Sequence, residues 1–286
     1  MKRVKRLGFI LLAGIVLGLG ACKKKEDTSS NPSGGGSPTE SWVDIGHEHD
    51  AHDRYHVYLY GALPAGQTAF TEGYNRFRVR ITQANGAAYT GRDVRFLPMM
   101  YMRNMAHSCP VEQPTGVSQD GYYYGAAFFM MPSDTDEPWK LHVAMGSDTV
   151  TFSLQVNPHP RGWVRRGRQF GNPNNPPYLY ELRLANAAVG SQDVMLYVYK
   201  RDVAQPATQP EGYPAATEFS KIAIQTWMPS MGHGAQGSQD AMPVSGKPGH
   251  YAGKAGFSMT GDWHIYTTFI GVNGDTIGRD TFALEF

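Results

Sequence analysis

Residues 77–81 read Phe-Arg-Val-Arg-Ile, with apolar side chains at alternate positions and arginines between them. A period of two places one set on a buried face and the other in water, so the segment predicts a half-buried strand. Residues 149–156 alternate in the same way, with Val150, Phe152, Leu154 and Val156 on one side. Residues 178–184, 194–199, 221–224 and 263–272 continue the theme. After the N-terminal segment no stretch keeps a helical period. The expected class is all-β, and short strands separated by turns favour sandwiches over propellers. The 33 glycines, 19 prolines and 12% aromatic content fit a turn-rich β protein.

The pattern also repeats. Gly121-x-Tyr123-x-Gly125, then Phe129 and Met131, has the spacing of Gly249-x-Tyr251-x-Gly253, then Phe257 and Met259. A tryptophan strand follows each, from Trp139 and from Trp263, the first after a short insertion over 133–138. Upstream, Pro98-x-Met100 aligns with Pro229-x-Met231, and Cys109-Pro110-Val111 with Met242-Pro243-Val244. The expectation is two related sandwich domains, 42–157 and 178–286, joined by a Pro/Arg/Gly/Asn-rich linker over 158–177.

The N-terminus carries Lys2, Arg3, Lys5 and Arg6, an apolar run over 7–19, then Gly20-Ala21-Cys22. A basic flank, a short apolar stretch and small residues before a cut site make a secretory signal, here 1–21. Leu19-Gly20-Ala21-Cys22 resembles the lipobox of bacterial lipoproteins, which implies lipidation of Cys22 and anchoring to a membrane. Residues 22–41 have almost nothing apolar to bury and read as a flexible tether. Position 23 is Lys rather than the Asp of inner-membrane retention, and the charged cluster after Cys22 resembles the surface-export signal of Bacteroidetes lipoproteins. The expected location is the outer membrane, facing the periplasm or the exterior.

A net charge of +1 gives no electrostatic case for nucleic acid as a partner. Of the two cysteines lipidation uses one, leaving Cys109 without an intramolecular partner. The chain does hold an unusual wealth of soft donors. Met99, Met100, Met102, Met105, His107 and Cys109 crowd one short segment, and Met228, Met231, His233 and Met242 a second. Core methionines are normally scattered gap-fillers. These sit beside Arg, Asn, Gly and Ser. Thioether, imidazole and thiolate are the ligands Cu(I) prefers. In an extended chain Met100 and Met102 share a face, as do Met105, His107 and Cys109.

Two sites are therefore expected for copper as Cu(I): Met100, Met102, Met105, His107 and Cys109, and Met228, Met231, His233 and Met242. The alternative is that the methionines fill gaps between sheets and Cys109 is a small buried hydrophobe. Met131 and Met259, each two residues from a phenylalanine, read as core. A third cluster, His47, His49, His52 and His56 among carboxylates, would suit Cu(II) or Zn(II), being harder and richer in oxygen; the alternative is a solvated polar entry segment.

Met228-Pro229-Ser230-Met231-Gly232-His233, Pro248-Gly249-His250-Tyr251 and Phe257-Ser258-Met259-Thr260-Gly261-Asp262-Trp263 together resemble the YtkA-like family of immunoglobulin-like modules. FixH-type domains share the pattern more loosely. The first half matches less well, with Met102 where His233 would align and Met131-Pro132-Ser133 in place of Met-x-Gly. The resemblance implies a β-sandwich and an association with copper handling or oxidase assembly, with a protein partner from that machinery.

Catalysis is not expected. A blue-copper centre needs His and Met close after its cysteine, and Cys109 is followed by Pro-Val-Glu-Gln-Pro. His107 shares a strand face with Cys109, but no protease or transferase motif surrounds them. The sequence reads as a lipid-anchored envelope protein that buffers or delivers copper. The rival is an adhesin or assembly subunit built of tandem immunoglobulin-like modules.

Overall fold

The computed structural model describes residues 40–134 and 136–286. The proposed signal peptide, Cys22 and nearly all of the tether lie outside them. The described chain is all-β, with one short 3-10 turn at Pro210–Gly212 and no α-helix among the described residues. In the first half the strands are β1 (Glu40–His49), β2 (Tyr55–Pro64), β3 (Phe70–Thr71), β4 (Gly73–Gln83), β5 (Val94–Met102) and β6 (Met105–His107). They continue as β7 (Val111–Glu112), β8 (Tyr123–Phe129), β9 (Trp139–Met145), β10 (Asp148–Leu154) and β11 (Val156–Asn157). The second half has β12 (Val164–Arg168), β13 (Tyr178–Leu184), β14 (Gly190–Lys200), β15 (Phe219–Met228) and β16 (His233–Gly234). It ends with β17 (Gln239–Pro243), β18 (His250–Phe257), β19 (Asp262–Gly271) and β20 (Thr276–Glu285).

Two layers form the first half: a five-stranded sheet, β1-β2-β4-β8-β7, and a four-stranded sheet, β10-β9-β5-β6. The alternation read from the sequence places Phe77, Val79 and Ile81 inside, opposite Phe96, Leu141, Val143, Val150 and Phe152. In the second half the strands run β12-β13-β14-β18-β17-β15-β19-β20, with β16 beside β15. β17 reaches β15 through one pair, Ile222 with Ala241, so the path divides there into layers of five and four strands. Trp263, Ile222, Ile224, Tyr180, Leu196 and Phe282 fill the space between them. Strand for strand the two orders correspond, with β5, β6, β9 and β10 standing where β15, β16, β19 and β20 stand.

Residues 164–168, within the stretch read as linker, form the edge strand β12 against β13. The sequence hides this strand because Val164-Arg-Arg-Gly-Arg168 carries almost no apolar alternation. β13 is buried on both faces. One face serves its own core, while Leu179, Tyr197 and Tyr199 of β13 and β14 join the core of the first half. Across this seam Tyr74 stacks on Tyr197, with ring centroids 4.0 Å apart. The buried Glu181 carboxylate accepts the Tyr74 N–H at 2.7 Å and pairs with Arg183. His250 Nε2 lies 2.6 Å from Glu112 Oε1. Burial raises the Glu112 pKa, but the His250 hydrogen bond and charge, the Lys247 charge and the Tyr74 hydrogen bond together hold this carboxyl below its ordinary range.

Candidate metal centre

Each half builds the same frame at the end of its four-stranded layer. β5 pairs with β9 so that Met100 faces Trp139, and with β6 so that Met100 faces His107. Met102 and Met105 form the next pair out, so Met100, Met102, Met105 and His107 share one face. That face points between the sheets. Met100 is buried, Met102 half-buried, and Met105 projects from the hairpin at 63% exposure. In the second half Met228 is the last inward residue of β15 and faces His233 of β16.

The register corrects the alignment made from sequence. His107, not Met102, is the counterpart of His233, and Met100 is the counterpart of Met228, not Met231. Pro98 and Pro229 look alike in sequence but occupy different structures. Pro98 lies inside β5, where no strand pairs on its far side and its carbonyl instead accepts Ser108 Oγ at 2.7 Å. Pro229 opens a turn closed by Gly232, whose φ is +65° and whose N–H donates to the Met228 carbonyl at 2.9 Å. Cys109 and Met242 do not correspond either, since Glu112 pairs with Ala126 and Gln239 with the equivalent Lys254.

The two imidazoles sit alike on their tryptophans. The His107 and Trp139 ring centroids are 5.2 Å apart at 78°, and those of His233 and Trp263 are 5.8 Å apart at 82°. Each indole N–H donates to a methionine carbonyl at 2.9 Å, Trp139 to Met131 and Trp263 to Met259. The tryptophan thereby fixes the methionine two residues past β8 or β18, in the first half beside the histidine. The environments around the two rings differ. His107 is buried, and burial lowers its pKa below the ordinary 6.5. Its Nδ1 is 2.9 Å from the Ser108 carbonyl, which can only accept, so Nδ1 carries the proton. The lone pair of Nε2 then faces Met131 Sδ at 3.3 Å. An imidazole held by an N–H···O=C bond on its far nitrogen is the usual setting of a metal-bound histidine. The soft pair of donors suits Cu(I). His233 Nε2 instead lies 3.2 Å from Ser258 Oγ, and Met259 is 42% exposed.

Met131 is therefore the residue that sequence reasoning assigned to the core and the fold brings to the site. Its place before Trp139, repeated by Met259 before Trp263, is the signal that would have found it. Gly261 has a related role. Its φ is +142°, and a Cβ there would lie 2.5 Å from Met228 Cε. The glycine of Met259-x-Gly261 thus makes room for the buried Met228 side chain.

Two expected ligands leave the donor set. Cys109 is fully buried in the first core, where desolvation pushes its thiol well above the ordinary range. A neutral thiol enclosed by apolar side chains is a packing group. Met242 faces Ala252 on β17, while its neighbour Ala241 pairs with Ile222 of β15. Met228 lies six residues further along β15, so about 20 Å separates Met242 from the His233 end. Met231 stays on the turn beside His233, 62% exposed.

The histidine cluster also divides. His47, His49 and His56 lie on one face of the β1–β2 hairpin, with His49 opposite His56 and His47 opposite Tyr58. His52 is in the turn, its Nδ1 3.8 Å from Asp50 Oδ2. Asp50, His52 and Asp148 bring their donor atoms within 4.8 Å of one another, the geometry of a metal-binding group. Arg54 already occupies it, pairing with both Asp50 and Asp148. Burial raises the Asp50 pKa, but the N–H groups of Tyr55, His52 and Arg54 dominate and hold its carboxyl below the ordinary range.

The second frame, with Met228, Met231, His233, Met259 and Trp263, is the one a family pattern covers. Residues 201–268 match the YtkA-like family model. The YtkA-like segment runs from the end of β14 into β19 and leaves the first frame outside. No curated protein matches the chain. Among solved structures, domains 5–6 of the S-layer protein SbsC align at 12% identity over 85% of this chain and 97% of that one, with a TM-score of 0.25. Dimeric latent PorU from Porphyromonas gingivalis aligns at 12% identity over 87% of this chain and 24% of that one, with a TM-score of 0.24. Likenesses at that score carry no functional argument.

Proposed function

We propose that this protein is a lipid-anchored cell-envelope protein that binds Cu(I) and buffers it or passes it to a partner in copper handling or oxidase assembly. The carrying observation is the His107–Met131 pair: a proton-free Nε2 and a thioether 3.3 Å apart, with the Nδ1 proton held by the Ser108 carbonyl. Met100 lies opposite His107, and Met102 and Met105 lead from the pair to the surface. Thioethers on that path offer successive ligands for exchange without the tight hold of a thiolate. In the second half His233, Met231 and Met259 repeat the donor types on a more exposed rim, over the buried Met228. The lipobox at Cys22 and the tether support anchoring at the outer membrane.

An anaerobic Cu(I) titration of the full chain against a chromophoric competitor tests this reading. Two equivalents are expected, the tighter lost in His107→Ala. Failure to compete even with a weak chelator would end the copper reading and turn the search to protein partners.

A further inference from the structure

The tip of the β1–β2 hairpin gathers a second, chemically different donor set. Antiparallel pairing puts His49 opposite His56, and the His47 and His56 rings stack with centroids 5.5 Å apart. The Asp53 carboxylate approaches both strands from the turn. Its Oδ1 lies 3.5 Å from His56 Nε2. His49 Nδ1 lies 3.8 Å from the same oxygen and 3.1 Å from the Asp50 carbonyl, which can only accept, so Nδ1 carries the proton and Nε2 is the nitrogen His49 has for an ion. Two ligands 2.0–2.2 Å from a tetrahedral ion stand about 3.4 Å apart, so the Asp53–His56 spacing already matches a shared metal.

The turn is built to hold this arrangement. Asp53 has φ +55°, a left-handed conformation that a non-glycine residue adopts at some cost in strain. The turn keeps it there through Asp50, whose buried carboxylate accepts the N–H groups of His52, Arg54 and Tyr55 at 3.2, 2.6 and 2.6 Å. Arg54 then ties the turn to Asp148 of β10. His47 is braced from its other side by Tyr58, stacked at 4.3 Å. The Asp53 and His49 side chains remain open to solvent, so an ion reaches them without the fold opening.

We propose that Asp53 and His56 bind one divalent, imidazole-preferring cation, Cu(II) or Zn(II), with His49 and His47 beside them as the further imidazole donors. Imidazole and carboxylate without thioether select against Cu(I) and for these ions. Asp53 enters the set through its backbone conformation, which no spacing rule reveals, and His52 leaves it by turning to Asp50. None of these residues belongs to the methionine frames, so this proposal and the Cu(I) reading stand or fall separately.

The test is aerobic titration of the full chain with Zn(II) and, separately, Cu(II) against a chromophoric chelator, repeated on Asp53→Asn and His56→Ala. One equivalent is expected, bound more tightly as Cu(II) than as Zn(II) in line with the divalent affinity order. Each substitution should weaken it at least tenfold. Electron paramagnetic resonance of the Cu(II) form should show imidazole nitrogen coupling that diminishes in His56→Ala. Asp53→Asn keeps the turn's residue size and left-handed tolerance, so its loss of binding cannot be put down to unfolding. Absence of binding by either ion, or binding and nitrogen coupling unchanged in both variants, would overturn the proposal.

Discussion

The two methionine–histidine–tryptophan frames share a strand register and differ in enclosure. Around His107 the ring is buried, its Nδ1 proton is spoken for, and Met131 Sδ closes on Nε2. Around His233 the ring meets a serine hydroxyl, Met231 stands largely in solvent and Met259 is 42% exposed. The same topology thus presents one closed and one open donor set. Enclosure removes competing water and favours retention, while exposure favours exchange with a partner. A protein that both holds and hands on copper has use for the two together.

The largest expected contrast is between the histidines. His107→Ala should weaken the tighter Cu(I) equivalent by more than the 10- to 100-fold that loss of an outer-shell partner typically costs. His233→Ala should leave that equivalent intact and remove only the weaker one. Equal losses from the two substitutions, read by competition titration, would mean that enclosure does not set affinity.

A smaller contrast concerns the indoles. Trp139→Phe and Trp263→Phe each remove the N–H that holds a methionine carbonyl at 2.9 Å. Leaving a buried carbonyl unpaired costs about 1–3 kcal/mol, and less where water can replace the donor. Chemical denaturation should show the greater loss for Trp139→Phe, because Met131 is more enclosed than Met259. Reversal of that order would place the closed frame in the wrong half.

The pH dependence sharpens the same point. Burial depresses the folded pKa of His107 below 6.5, so the fold favours its neutral form. Its contribution to stability is complete above 6.5 and is lost as pH falls through the lower folded value. Copper ligation needs the neutral ring too, so the tighter equivalent should be released with a midpoint below 6.5. Release centred above that value would contradict a buried, neutral ligand.

Strand alternation made much of this legible in advance. The all-β class and the shared faces of Met100 with Met102 and of Met105 with His107 follow from a period of two, and the repeat from motif spacing. That these two pairs lie on one face follows only from the β5–β6 register. Contacts that span sheets were not legible. Met131 reads as core because Phe129 precedes it by two; it does pack against the first core, but it lies two residues past the end of β8, where its sulfur also meets His107. Cys109 keeps the alternation of His107 but lies beyond β6, in the core. Met242 fails because sequence proximity to His233 hides a return along most of β15. Pro98 and Pro229 look equivalent in the sequence, and only hydrogen-bond register separates a strand proline from a turn proline.

The most direct test of the central claim is copper K-edge X-ray absorption on the protein loaded anaerobically with one equivalent of Cu(I). A mixed first shell of sulfur and imidazole nitrogen is expected, with the nitrogen contribution lost in His107→Ala. A shell without sulfur, or one unchanged by that substitution, would contradict that claim.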